Sequence, residues 1–128
     1  DVGTLTIEKS QLTGREELAR PEPNVIFLGE PKMDIYEDRR DYTGKVINEG
    51  NRRADFVRVI FWIHGKDTDV LALDSSFVDG TNAEYRSGIM TDTSIEPEQS
   101  ARYHVEVPID ETIEVEYYTQ VIHWNIFY

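Results

Sequence analysis

Asp55-Phe56-Val57-Arg58-Val59-Ile60-Phe61-Trp62-Ile63-His64 decides the fold class of this chain. Strand side chains alternate between the two faces of a sheet. Val57, Val59, Phe61 and Ile63 therefore share one face, and Phe56, Arg58, Ile60, Trp62 and His64 share the other. The first face is wholly apolar, which predicts a core. The second is half apolar, which is unusual for a solvated face. β-Branched and aromatic residues in this density suit a pleated, half-buried surface. Gly65-Lys66-Asp67-Thr68-Asp69 follows with the composition of a hairpin loop, so residues 70–79 are expected to pair back as the next strand.

Working outward, residues 2–8 alternate as an edge strand does, and residues 14–24 read as a polar connecting loop with Pro21 and Pro23. Within that loop, residues 14–19 offer one short helical turn. Residues 24–28 are a short apolar run closed by Gly29 and Pro31. Residues 33–48 read as one strand, firmer in its second half, and Asn48-Glu49-Gly50-Asn51 is a turn cluster. Residues 80–94 are polar and read as the longest irregular loop. Residues 99–107 predict a strand with Tyr103, Val105 and Val107 facing in. Residues 113–127 predict the last strand. Ile113, Val115, Tyr117 and Val121 fall on one of its faces, and Ile122, Trp124 and Ile126 on the other. No window predicts a long helix. About seven to nine short strands with turn signals between them predict one all-β domain over residues 1–128, an antiparallel β-sandwich. Residues 1–40 read as extension strands and a loop, and residues 41–128 as the sandwich proper.

Composition narrows the function classes. The chain carries 25 acidic and 13 basic residues, a formal net charge of −12. Phosphate backbones and anionic membranes are repelled by such a surface, so nucleic acid is not an expected partner. Only four of the 13 basic residues are lysine, a balance like that of salt-adapted proteins. Cysteine is absent, which excludes disulfides, thiolate metal sites and cysteine nucleophiles. No apolar run approaches the ~20 residues of a bilayer-spanning helix. The chain starts at Asp1, so a processed or trimmed start is expected, with any signal or lipid-anchor segment preceding it.

From Tyr42 onward the residues resemble the FxLYD family. Gly44-Lys45-Val46-Ile47-Asn48-Glu49-Gly50 is similar to its G-x-V-x-N-x-G strand and turn. Ala54, Val57 and Val59 continue the match, and Phe61-Trp62-Ile63 stands in the place of F-x-L. Ile95-Glu96-Pro97-Glu98-Gln99-Ser100-Ala101-Arg102-Tyr103 is similar to its L-x-P-G-E-x-A-x-F. His64-Gly65 stands where Tyr-Asp is usual, and Glu98 where the turn glycine is usual. The resemblance covers roughly two thirds of the chain and rests on packing and turn positions. It implies an immunoglobulin-like sandwich, a prokaryotic source, and a secreted or cell-envelope location.

Catalytic and metal chemistry find little support in the sequence. His64, His104 and His123 lie on predicted strands, with no G-x-S-x-G, HExxH or H-x-H around them. Asp34, Glu37, Asp38 and Asp41 cluster along one strand, and Asp67, Asp69 and Asp74 flank the hairpin. Neither group has the D-x-D-x-D-G spacing of a calcium loop, and solvated charge accounts for both. No cofactor, metal or enzymatic activity is expected. The feature left over is apolar. Phe56, Ile60 and Trp62 are expected beside Ile122, Trp124 and Ile126 on one outer sheet face. Such a patch is either covered by the N-terminal extension or receives a protein partner or a second copy. The expectation is therefore a non-catalytic interaction or structural module. The alternative is a carbohydrate- or small-ligand-binding sandwich using exposed Trp and Tyr.

Overall fold

A computed structural model of the chain describes residues 21–126. The expected edge strand at residues 2–8, and the helical turn at 14–19, lie outside them. The described residues form nine strands: β1 Val25–Phe27, β2 Lys32–Ile35, β3 Arg39–Asn48, β4 Asp55–His64, β5 Val70–Phe77, β6 Thr81–Arg86, β7 Ile89–Ser94, β8 Ser100–Pro108 and β9 Tyr117–Asn125. A short 3-10 turn, Lys66–Thr68, closes the β4–β5 hairpin.

Two antiparallel sheets make the sandwich. In the first, β3 pairs with β8 on one side and with β1 and β2, end to end, on the other. In the second, β4 lies between β5 and β9. β6 and β7 form a separate hairpin. The isolated bridge Ala54–Ile95 ties the end of that hairpin to the start of β4.

The predicted core face of β4 is the centre of the molecule. Val57, Val59, Phe61 and Ile63 are all fully buried. The Phe61 ring stacks on Tyr42 of the opposite sheet, with centroids 4.3 Å apart and planes 11° from parallel. Tyr103 and Tyr118 tilt against the same ring at 5.8 and 5.6 Å. Tyr103, Val105 and Val107 of β8 face in as expected. Gly44 lets the Tyr103 ring cross β3, because a Cβ there would sit 2.5 Å from the phenol oxygen.

The turn cluster is built around buried Asn48. Its Oδ1 accepts from the N–H of Asn24 (3.0 Å) and Gly50 (2.9 Å). Its Nδ2 donates to the carbonyls of Arg52 (2.8 Å) and Ile95 (2.9 Å). One amide thus satisfies backbone groups from three segments of chain, as burial requires. At the other turn Glu98 holds φ +69°, the left-handed region that glycine occupies without steric cost.

Three expectations are corrected. Residues 33–48 are two strands, not one. The hairpin between them turns at 36–38, where Tyr36 N–H donates to Arg39 O and the Arg39 guanidinium lies 4.4 Å over the Tyr36 ring. That turn has no glycine or proline to announce it. Residues 80–94 are the β6–β7 hairpin, not an irregular loop. The ladder turns at Gly88 (φ +77°) and buries little beyond Ala83 and Ser94, so its alternation is faint. The last strand starts at Tyr117, and Ile113 stands exposed in the preceding loop.

Candidate functional site

The β4 register defines one outer face in four rows of three. Phe77, Arg58 and His123 are level; then Ser75, Ile60 and Val121; then Leu73, Trp62 and Thr119; then Val70, His64 and Tyr117. Leu73, Phe77 and Val70 are half exposed, and Trp62 and Tyr117 about two-fifths. No carboxylate stands in these rows, in a chain with 25 acidic residues. Phe56 extends the face at one end, contacting Phe77 (6.4 Å) and Tyr85 (4.8 Å) edge-on. A bulge between Asp55 and Arg58 holds Phe56 at φ +51° and tips it toward that hairpin.

This is half of the predicted patch. Phe56, Ile60 and Trp62 lie on the outer face as expected. Ile122 and Trp124 do not. They are 7% and 4% exposed and belong to the core, with Ile122 level with Val59, and Ile126 packs against that core from its margin. Tyr117 and Val121, which the sequence places on the face opposite Ile122, Trp124 and Ile126, take the outer positions. β9 carries adjacent apolar pairs, Tyr117-Tyr118 and Val121-Ile122, so apolarity alone fixes no parity. His123 and Asn125 do fix it, because both are polar and exposed. Leu73 and Phe77 of β5 complete the face; alternation along residues 70–79 was the signal that would have found them.

The outer face of the other sheet is its opposite in character. Asp34, Asp41 and Glu106 stand level across β2, β3 and β8. Arg39 Nε reaches Asp41 at 3.0 Å and Glu106 at 3.7 Å, and its Nη1 reaches Asp38 at 3.2 Å. His104 Nε2 lies 3.2 Å from Asp41 Oδ2, and Lys32 lies 3.8 Å from Asp34. Asp41, His104 and Glu106 are the one set of three metal-ligating side chains close enough to share an ion among the described residues. The Arg39 guanidinium already supplies positive charge to both carboxylates, so ion pairing accounts for the arrangement.

Histidine chemistry is equally spare. His64 Nε2 lies 2.9 Å from Thr119 Oγ1, a base beside a hydroxyl. Its Nδ1 has no hydrogen-bond partner among the described residues, so none of them orients the imidazole as a base should be oriented. Its ring instead stacks on Tyr117 at 4.5 Å. His123 is exposed beside Arg58.

Clefts open among the described residues where sheet edges meet, one of about 360 Å³ between Met33, Arg40 and residues 115–118. A cleft of about 520 Å³ runs between β5 and the β3–β8 ladder, lined among others by Lys45, Arg102, His104, Phe77 and Asp79. A smaller groove of about 190 Å³ lies between β1 and β9, where Gln120 Oε1 and Trp124 Nε1 are buried without a partner among the described residues. No helix among the described residues is long and apolar enough to cross a membrane. Comparison with known proteins finds no match: no family model fits the chain, and no curated protein or solved structure is similar to it.

Proposed function

We propose that this chain is a non-catalytic, immunoglobulin-like interaction module whose outer β5-β4-β9 face docks a second copy of itself. The carrying observation is the contrast between the two sheets. One outer face is threaded with ion pairs, while the other presents Ile60, Trp62, Leu73, Phe77, Tyr117 and Val121 with no acidic residue in its rows. Exposed, contiguous apolar surface of this kind marks interaction sites, and Trp and Tyr are frequent anchors in them.

Charge selects the occupant. Two copies of a −12 chain repel, and an acid-free face is where that repulsion is least. Strand spacings make the four rows about 27 Å by 14 Å, or about 400 Å² of projected surface. Stable interfaces bury about 800 Å² per partner, so the contact is weak and transient. Salt strengthens it, because screening removes repulsion while apolar burial persists. The FxLYD resemblance rests on packing and turn positions and does not bear on docking; it carries only an expected envelope or secreted location, which we extend to this chain.

Sedimentation velocity from about 20 µM to about 1 mM tests the proposal. The expected result is concentration-dependent dimer that increases with salt and is lost in Trp62→Arg. A monomer throughout, or dimer unaffected by Trp62→Arg and Leu73→Lys, refutes it.

A further inference from the structure

We infer that the cleft between β5 and the β3–β8 ladder binds a small dianion, a phosphate monoester whose apolar group rests on Phe77. Lys45 and Arg102 stand directly opposite each other on β3 and β8, and both are exposed. Like charges in that cross-strand relation repel and destabilise a sheet. Elsewhere on the same face the chain relieves such charge: Arg39 has Asp38, Asp41 and Glu106, and Lys32 has Asp34. Neither Lys45 nor Arg102 has a side-chain partner among the described residues, although 25 acidic residues were available to supply one. Asp79 stands opposite Arg102 across an isolated bridge and lines the same cleft, so two cations face one carboxylate and the cleft is left short of negative charge, which a bound anion supplies.

The surroundings define the rest of the ligand. Thr43 and His104 form the next row of the ladder and line the same cleft, adding a hydroxyl and an imidazole that already engages Asp41. Phe77, half exposed, supplies an apolar wall from β5. The volume of about 520 Å³ lies in the usual range for small-molecule sites, which combine apolar walls with a few convergent polar groups. Asp79 also lines the cleft, and its N–H is tied to Arg102 O at 2.9 Å. Its carboxylate opposes an anion and holds affinity down.

Amide chemical-shift titrations with inorganic phosphate, inorganic sulfate and phenyl phosphate, at low salt and a pH where phosphate is dianionic, test the inference. Saturable shifts are expected at residues 43–45 and 102–104. Phenyl phosphate should bind about threefold to tenfold tighter than phosphate, and Phe77→Ala should abolish that preference while leaving inorganic phosphate bound. Lys45→Glu and Arg102→Glu should each weaken binding about tenfold or more, and Asp79→Asn should strengthen it. Equal affinity for phosphate and phenyl phosphate would overturn the ester and leave a plain anion site. Non-saturating shifts spread over the surface, or binding unchanged in Lys45→Glu, would overturn the site itself. Phe77 borders both surfaces, but Trp62 does not line the cleft, so titrations repeated in the Trp62→Arg monomer separate failure of the docking face from failure of the cleft.

Discussion

Truncating Phe61 to alanine is the sharpest test of the fold. The side chain is fully buried, stacked on Tyr42 and flanked by Tyr103 and Tyr118, so its removal empties the contact between the two sheets. Large-to-small changes at such sites cost about 3–5 kcal/mol, from lost transfer energy plus the cavity left behind. Loss of the stacked partner adds about 0.5–1.5 kcal/mol. The rigid ladders on both sides limit collapse, which places the expected cost near the upper end, about 4–5 kcal/mol. Trp62 is the internal control. It is the next residue on the same strand and points the other way, two-fifths exposed. Trp62→Ala in the monomer should cost about 1–2 kcal/mol, since only its covered surface loses burial. Urea denaturation at low protein concentration measures both. For a domain of this size the Phe61 variant should also melt about 12–20 °C lower. Equal costs for the two variants, or less than 1 kcal/mol for Phe61→Ala, would mean that the strand faces are assigned wrongly.

Three further outcomes follow from single sites. Asn48→Ala removes an amide that makes four hydrogen bonds to buried or half-buried backbone, so denaturation should show a loss of about 2–4 kcal/mol. Glu98→Gly relieves a left-handed backbone and should gain about 0.5–1 kcal/mol, read as a higher urea midpoint at unchanged slope; a loss would refute the strain. Burial pushes the Tyr103 phenol up to about 12, from an ordinary value near 10. The unfolded chain therefore ionises first, and the stability this group contributes, fully present below pH ~10, is lost as pH rises to ~12. Tyr103→Phe should flatten that part of the stability–pH curve.

What the sequence discloses follows from how strongly each segment is patterned. β4 alternates over ten residues, and its bounds and core face are read correctly. β8 is legible for the same reason. The turn residues are legible as chemistry: Asn48 is a backbone clamp, Gly44 a site of close approach, and Glu98 occupies a left-handed position. The β2–β3 and β6–β7 hairpins are hidden because hydrogen-bonded ladders, not buried apolar residues, hold them. The docking face is half legible. Its β4 residues stand out because an apolar outer face is anomalous, whereas its β9 residues are obscured by apolar residues on both faces of that strand. The anion cleft is invisible in the sequence, because Lys45 and Arg102 are 57 positions apart and only the β3–β8 register joins them.

If the β5-β4-β9 outer face docks a second copy as proposed, isotope-filtered NMR on a mixture of labelled and unlabelled copies detects the contact itself. At high concentration and salt, cross-copy NOEs should connect the Trp62 and Tyr117 rings to the side chains of Leu73, Ile60 and Val121, and vanish in Trp62→Arg. Cross-copy NOEs confined to other surfaces, or none at about 1 mM, would contradict it.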